Sequence, residues 1–115
     1  MACRRGEIYL VDFNPAKGGE MGKLRPAAVV STDIDNEHLA TAVVVPFSTR
    51  IVPDAYPYRL FIPKREGLER DSDACIYEIR ALSKRRLKKR IAALEPAELA
   101  KMQRAICALF GVGDA

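Results

Sequence analysis

Residues 25–31, RPAAVVS, and residues 41–50, TAVVVPFSTR, are the stretches around which the fold is organised. Short runs of Val and Ala bounded by polar or turn-forming residues are typical of buried strands. We therefore predict that segments 26–31 and 41–47 are central strands of a small sheet. The first run follows Arg25 and the second leads into Ser48, so a guanidinium and a hydroxyl are expected at neighbouring strand ends. Both groups are suited to binding phosphate.

The segments on either side extend this sheet. Residues 7–13 are rich in β-formers, and period-two spacing puts Tyr9, Val11 and Phe13 on one face of a first strand. Pro15 and three glycines then predict a long loop. Residues 33–36 are a polar connection between the two central strands. Residues 51–57 predict an irregular exposed loop, and residues 58–62 a further strand.

The C-terminal half is predicted to add strands and one helix. Period-two spacing over 74–82 puts Cys75, Tyr77, Ile79 and Ala81 on a buried face. Ser83 is suited to cap a short turn before a last strand at 90–94, although a continuous helix from Ser83 is the alternative. Pro96 suits the first position of a helix whose apolar stripe is Leu99, Met102, Ile106 and Leu109, with Gly111 placed to end it. The class predicted is α+β: a mostly antiparallel, partly closed barrel with a C-terminal helix.

Composition narrows the functional classes. The 115 residues suit a single domain spanning 1–115, and the net charge of +4 with a pI near 9.1 suits an anionic partner without requiring one. Three widely spaced cysteines do not form the even framework of a secreted disulfide domain, which favours a reducing cytoplasm. Neither a signal segment nor a bilayer-spanning apolar stretch is recognisable, so no membrane association is expected.

Residues 5–15, RGEIYLVDFNP, followed by Gly18-Gly19-Glu20 and by residues 22–26, GKLRP, resemble the opening of the MazF/PemK family of toxin endoribonucleases. The resemblance continues through the 43–49 strand, the 71–80 stretch and the closing helix. It implies an SH3-like barrel. It also implies a sequence-selective, metal-independent endoribonuclease that cleaves single-stranded RNA, with a 2′,3′-cyclic phosphate and a 5′-hydroxyl as product ends. The implied assembly is a homodimer with RNA across the subunit interface, inhibited by a MazE-like antitoxin whose acidic tail covers the RNA groove.

The same resemblance assigns three catalytic candidates. Arg25 matches the family's catalytic arginine, and its guanidinium can bind two phosphate oxygens while remaining charged. Ser48 stands where the family has a catalytic threonine and retains the hydroxyl. Glu20 lies in the loop before Arg25 and would be a better base for the RNA 2′-hydroxyl than an arginine. His38 is the chain's single histidine, so a pair of catalytic histidines is excluded within one protomer, and we expect His38 to be solvated.

The expected RNA contacts are made by residues near these strand ends. Glu78 replaces a glutamine that the family associates with RNA, and a carboxylate there repels RNA unless a neighbour such as Arg80 neutralises it. No zinc site or other cofactor is expected, because His, Cys and carboxylates are not clustered at ligand spacing. The full set of expected RNA-binding residues is Lys23, Thr49, Arg50, Tyr56, Glu78 and Arg80.

Other interpretations are open from the sequence. The basic run 84–90 either follows an RNA backbone or is a solvated edge. A gyrase-poisoning toxin of the CcdB type shares this architecture, but it uses a tryptophan near its C-terminus and this chain has no tryptophan. A non-catalytic nucleic-acid-binding barrel would use Arg25 and Ser48 only to hold phosphate.

Overall fold

The computed structural model describes residues 2–14 and 23–113 of the chain, and within them an antiparallel sheet of seven strands is combined with two α-helices. The α+β class with a C-terminal helix is confirmed. The strands are β1 Glu7–Asp12, β2 Leu24–Val29, β3 Thr41–Ser48, β4 Arg59–Ile62, β5 Ser72–Cys75, β6 Arg80–Ser83 and β7 Leu87–Ala93. The helices are α1 Asp33–His38 and α2 Pro96–Leu109, and two 3-10 turns lie at Ile76–Glu78 and Lys84–Arg86.

The strands follow the order β4-β5-β3-β2-β1-β7, and β6 pairs with the half of β3 that β5 leaves open. The expected central strands, β2 and β3, lie in the middle of this order. Within the described residues β4, β6 and β7 each pair with one strand only, so the barrel is open. β1 is bulged twice against β7, which bends this end of the sheet.

Each face of the sheet carries its own apolar core, because successive side chains in a strand point to opposite faces. The first core contains Ile8, Ala28 and Phe47 and packs against Met102 and Ala105 of α2. The second core lies on the other face. It contains the predicted trio together with residues of the central strands: Tyr9, Val11, Phe13, Ala27, Val29 and Val44. The shared face of Tyr9, Val11 and Phe13 is thereby confirmed.

Helix α2 begins and ends where its sequence signals predict. Pro96 occupies the first turn, and the Glu95 backbone N–H donates to the Glu98 carboxylate at 2.8 Å. Met102 is fully buried, while the other stripe residues are half-buried against the first core. Gly111 adopts a positive φ of 69°, a conformation that suits glycine after a helix.

The polar connection between the central strands is a short helix, which the sequence reading missed. Thr32 caps α1, and its side chain accepts from the Asp35 backbone N–H at 3.3 Å. Asp33 and Asp35 lie in the first turn, where carboxylates favour the positive end of the helix dipole. Only Asn36 of this helix is buried, so the sequence has no apolar stripe that would predict a helix here. His38 is exposed, as expected.

The single strand predicted over 74–82 is wrong. A 3-10 turn at Ile76–Glu78 separates β5 from β6 and breaks the period-two alternation. As a result Tyr77 is 48% exposed and Ala81 is exposed, whereas Ile76, assigned to the opposite face, is completely buried. Of the four residues expected on the buried face, Cys75 alone is fully enclosed. The turn lets β5 and β6 pair with successive halves of β3.

The alternative helix from Ser83 is also excluded. The Ser83 hydroxyl caps a 3-10 turn by accepting from the Arg85 backbone N–H at 3.3 Å. The last strand then begins at Leu87, three residues before the predicted start. Its pairing with β1 extends the strand, and this contact is remote in sequence.

Candidate active site

A row of directly opposed residues crosses one face of the sheet where β3 ends. Ser48 in β3 is paired with Asp73 in β5, and Asp73 is paired with Phe61 in β4. The β2–β3 pairing extends to Ala27 and Pro46, and strand alternation puts Arg25 and Ser48 on one face, each two residues beyond that last pair. Opposed side chains of antiparallel strands share a face and lie about 5 Å apart at their Cβ atoms. We call Arg25, Ser48, Asp73 and Phe61 the active-site row.

Arg25 is half-buried in β2 and acts electrostatically on the interior of this face. Burial raises the pKa of the Cys75 thiol; the positive charges of Arg59 and Arg25 oppose that rise, and the carboxylates of Asp73 and Glu78 add to it. Cys75 is two residues from Asp73 on the same strand and therefore on the same face. The charges of Arg25 and Glu78 therefore both act on the pKa of this buried thiol, in opposite directions.

Ser48 is held by the turn that follows it. Its Oγ accepts a hydrogen bond from the Arg50 backbone N–H at 3.2 Å. This bond orients the side chain, so the stiffening methyl of a threonine is replaced in part by a local contact. A hydroxyl that accepts one bond still has its own hydrogen to donate. Ser48 can therefore serve the turn and still donate to a phosphate oxygen.

A buried ion pair supports the chain beyond Ser48. Arg59 Nη1 lies 3.3 Å from Asp73 Oδ2 and also donates to the Arg50 carbonyl at 2.9 Å. Arg59 Nη2 donates to the Tyr77 hydroxyl at 3.1 Å. Asp73, only 2% exposed, accepts a second bond from the Val52 backbone N–H at 2.8 Å. These bonds attach the loop after β3 to β4 and β5.

Arg80 contributes a second cation to the same face. It is opposed to Val44 of the second core, and its guanidinium carbon lies 5.6 Å from the centre of the Phe13 ring. Phe13 is two residues beyond Val11, the β1 partner of Arg25. The Arg80 side chain therefore extends toward the Arg25 end of the sheet. Glu78, which precedes it in the 3-10 turn, is half-buried.

The remaining predicted site residues are not members of the row. Thr49 lines a separate apolar hollow with Leu10 and Pro26, two residues paired on the face of the first core. Lys23 is exposed and closes the base of a loop, where its backbone N–H donates to Asn14 Oδ1 at 2.8 Å. Arg50 is exposed next to Ser48, and both its backbone groups are used as described above. Glu20 lies outside the described residues.

Tyr56 is brought to the neighbourhood of the row by the 51–57 loop, which is irregular as predicted. Its ring is 41% exposed and lies 5.0 Å from Lys101 Nζ of helix α2. The ring therefore remains accessible beside a cation.

The basic run 84–90 is partly structural. Lys84 Nζ donates to the Asn36 carbonyl at 2.7 Å, and Arg90 Nε lies 2.6 Å from the Glu7 carboxylate. Arg86 donates to the carbonyls of Asp12 and Asn14, at the point where the long loop leaves β1. Arg85, Lys88 and Lys89 are exposed. Only these three of the run are available to follow an RNA backbone without breaking a described contact.

Sequence reasoning missed Asp73, Arg59 and Arg86 as supports of the site. The one local signal was an aspartate inside a short strand of otherwise small or apolar residues, since an acid there needs a partner. The partner itself is fourteen residues away and had no local signal.

Across residues 2–14 and 23–113, no three His, Cys, Asp or Glu side chains are grouped in a way that could hold a metal ion. None of the helices in that same part of the chain is long and apolar enough to cross a membrane.

Residues 4–110 match the family described as PemK-like, MazF-like toxin of type II toxin-antitoxin system. Among solved structures, the chain is similar to MazF from Deinococcus radiodurans, with 24% identity, a TM-score of 0.83, and coverage of 97% of this chain and 99% of that one. It is similar to the Mycobacterium tuberculosis toxin MazF-mt6, with 18% identity, a TM-score of 0.78, and coverage of 94% of this chain and 99% of that toxin. It is also similar to a mycobacterial endoribonuclease in complex with its cognate antitoxin, with 22% identity, a TM-score of 0.75, and coverage of 99% and 98%. These three likenesses establish the shared fold.

Proposed function

Because the chain belongs to the PemK-like, MazF-like toxin family of type II toxin-antitoxin systems, we propose that it is a toxin endoribonuclease of one domain that cleaves single-stranded RNA. The observation that carries the proposal is the shared face of Arg25 and Ser48 at adjoining strand ends. A guanidinium fork beside a hydroxyl can hold a phosphodiester and stabilise the charge that develops on it. The relative described as an endoribonuclease supports the same reaction class.

The proposed reaction uses the RNA itself as the nucleophile. The 2′-oxygen attacks the adjacent phosphorus, the bond from phosphorus to the 5′-oxygen breaks, and a 2′,3′-cyclic phosphate and a 5′-hydroxyl are formed. A base takes the 2′-hydroxyl proton and an acid supplies a proton to the departing 5′-oxygen. DNA lacks the 2′-hydroxyl and is spared. No metal takes part in the proposed reaction.

We assign roles by chemistry. Arg25 binds the non-bridging phosphate oxygens and stabilises the transition state, and Ser48 donates to one of these oxygens or orients the 2′-hydroxyl. Glu20 is the proposed base, because a carboxylate is a better proton acceptor than a guanidinium, which gives up its proton with difficulty. Arg80 supplies positive charge that offsets Glu78 and permits RNA to approach. Sequence selectivity comes from the loops beside the row.

The proposed assembly and partner follow from the family and one relative. We propose a homodimer with RNA lying across the subunit interface, and a MazE-like antitoxin that inhibits by covering the same basic surface. The relative solved in complex with its cognate antitoxin supports the partner. An acidic disordered tail that folds on binding suits a basic groove. RNA and antitoxin should therefore compete, and independent binding of both would contradict this part of the proposal.

The deciding experiment maps the 5′ ends of RNA incubated with purified protein in EDTA. Wild type should release 5′-hydroxyl ends at defined sequences. Arg25→Ala should cleave about 100- to 1,000-fold more slowly, as expected for loss of a charge-stabilising donor. Arg25→Lys, which keeps the charge and loses the fork, should recover only part of the rate. Ser48→Ala should be impaired, and the exposed Arg104→Ala serves as the control.

Folding of each variant is checked by thermal unfolding. Undiminished cleavage by folded Arg25→Ala would refute the proposed mechanism. Wild-type protein that binds RNA in EDTA without ever cutting it would establish the non-catalytic alternative. Cleavage that requires an added divalent cation would refute the metal-independent reaction.

A further inference from the structure

An open pocket of about 550 Å³ lies at the β4 edge of the sheet, between the 51–56 loop and helix α2. Tyr56 and Phe61 line it, and Lys101 reaches it from the helix. The Arg59–Asp73 ion pair also lines it. We call this the β4-edge pocket. Its walls combine aromatic rings, two cations and apolar loop residues with two carboxylates, the buried Asp73 and the exposed Asp54.

The pocket continues the active-site row. Phe61 and Asp73 belong both to the row and to the pocket lining, and Asp73 is the β5 partner of Ser48. Because neighbouring strands are about 4.8 Å apart, Phe61 lies roughly 10 Å across the sheet from Ser48. A single strand of RNA whose phosphate rests at Ser48 could thus place a nearby nucleotide in the pocket.

The side chains of the pocket suit an unpaired nucleobase. The Tyr56 ring is 41% exposed and the Phe61 ring is 50% exposed, although aromatic rings of this size are usually covered. Single-strand binding proteins use such rings as stacking surfaces. Lys101 Nζ, 5.0 Å from the centre of the Tyr56 ring, adds a cation for a flanking phosphate. All three features are therefore ones that RNA would use.

Asp73 belongs to the wall of the pocket. Its carboxylate is only 2% exposed, and its Oδ2 accepts from the Val52 backbone N–H and pairs with Arg59. Asp73 therefore anchors the loop that carries Tyr56, and the groups exposed to a base are the aromatic rings and Lys101.

We propose that the β4-edge pocket is a nucleobase subsite that stacks an unpaired base on Tyr56 and Phe61. This inference rests on the proposed function, because it places the pocket along the RNA bound at Arg25 and Ser48. It assigns Lys101, on a helix remote in sequence from the catalytic candidates, to the RNA surface.

Binding is tested apart from cleavage with short, fully 2′-O-methylated RNA, which cannot supply the attacking hydroxyl. Fluorescence anisotropy is measured for Tyr56→Ala and Lys101→Ala. Their matched controls are Tyr58→Ala, a more exposed tyrosine of the same loop outside the pocket lining, and Arg104→Ala, an exposed cation of the same helix. Tyr56→Ala should weaken binding by about fivefold to 100-fold, the loss expected for one stacked base, and each control by less than about twofold.

A further variant tests whether the aromatic ring itself is responsible for RNA binding. Tyr56→Phe should bind as wild type, because the ring is retained. Thermal unfolding confirms that each variant is folded.

Equal affinity of wild type, Tyr56→Ala and Lys101→Ala for the methylated RNA would overturn the inference. Equal losses of RNA affinity in Tyr56→Ala and Tyr58→Ala would also overturn the inference. If these variants kept RNA affinity but lost binding to an acidic antitoxin peptide, the pocket would be a protein-docking surface and the inference would be wrong. Wild-type binding without cleavage of natural RNA would refute the proposed function alone, so the two failures are distinguishable.

Discussion

Replacement of Arg59 by methionine tests whether the buried ion pair holds the chain beyond Ser48. The guanidinium bonds to Asp73, to the Arg50 carbonyl and to the Tyr77 hydroxyl. Methionine keeps much of the apolar volume and removes all of these donors. Asp73 is then left 2% exposed, with the Val52 backbone N–H as its remaining described donor. An incompletely compensated buried carboxylate is expected to destabilise the fold.

The expected loss of stability in Arg59→Met follows from the burial of the Arg59–Asp73 ion pair. Removing one partner of a fully buried ion pair costs about 3–5 kcal/mol. The Arg59 side chain is 15% exposed, so solvent screens part of the interaction, and we expect about 2–3 kcal/mol. In a domain of about this size each kcal/mol lowers the Tm by about 4–8 °C, which gives a decrease of roughly 8–24 °C. Because the loop after Ser48 loses an anchor, cleavage should also fall.

Urea unfolding of four proteins measures this energy: wild type, Arg59→Met, Asp73→Asn and the double variant. Contacting residues should show a coupling energy of about 1–3 kcal/mol, so the double variant should be less destabilised than the sum of the single changes. Arg104→Met, an exposed change of the same kind, should stay within about 0.5 kcal/mol of wild type. Additive losses, or a cost for Arg59→Met no larger than that of the control, would refute the reasoning.

Three further predictions concern other contacts. Gly67→Ala should lower the free energy of unfolding by at least about 2 kcal/mol in urea titrations, because φ is +89° and the added Cβ would lie 1.6 Å from the Ile91 carbonyl oxygen. Hydrogen bonds from Arg65 lower the pKa of Glu98 in the folded protein. The contribution of this pair to the free energy of unfolding is therefore complete above the pKa of an unfolded glutamate, about 4.3, and is lost as the pH falls through the lower pKa of the folded state. Unfolding followed from pH 7 downward should show Glu98→Gln less acid-sensitive than wild type, and a parallel pH dependence would contradict this. Arg86→Ala should reduce kcat/KM several-fold without a matching loss of Tm, whereas equal effects in exposed Arg85→Ala would show that the loop contacts of Arg86 are irrelevant.

Local signals were sufficient for much of the fold. Period-two alternation identified the face shared by Tyr9, Val11 and Phe13, and the Glu95-Pro96 start identified helix α2. Local sequence signals failed to predict the structure where an element was short and polar or where a strand was interrupted. Helix α1 has only Asn36 buried, and the 3-10 turn at Ile76–Glu78 reverses the alternation that a single strand would keep.

The sequence by itself determined the strand-forming runs, the closing helix and the pattern around Arg25 that marks the family, because each depends on residues near one another in the chain. Tertiary structure alone decided which strands are neighbours, and therefore that Arg25, Ser48 and Asp73 lie in one row. It also decided that Thr49 lines a separate hollow and that Arg59 and Lys101 line the same pocket at the β4 edge. The physical reason is that strand register and side-chain burial are set by contacts between distant segments, whose energies no local pattern contains.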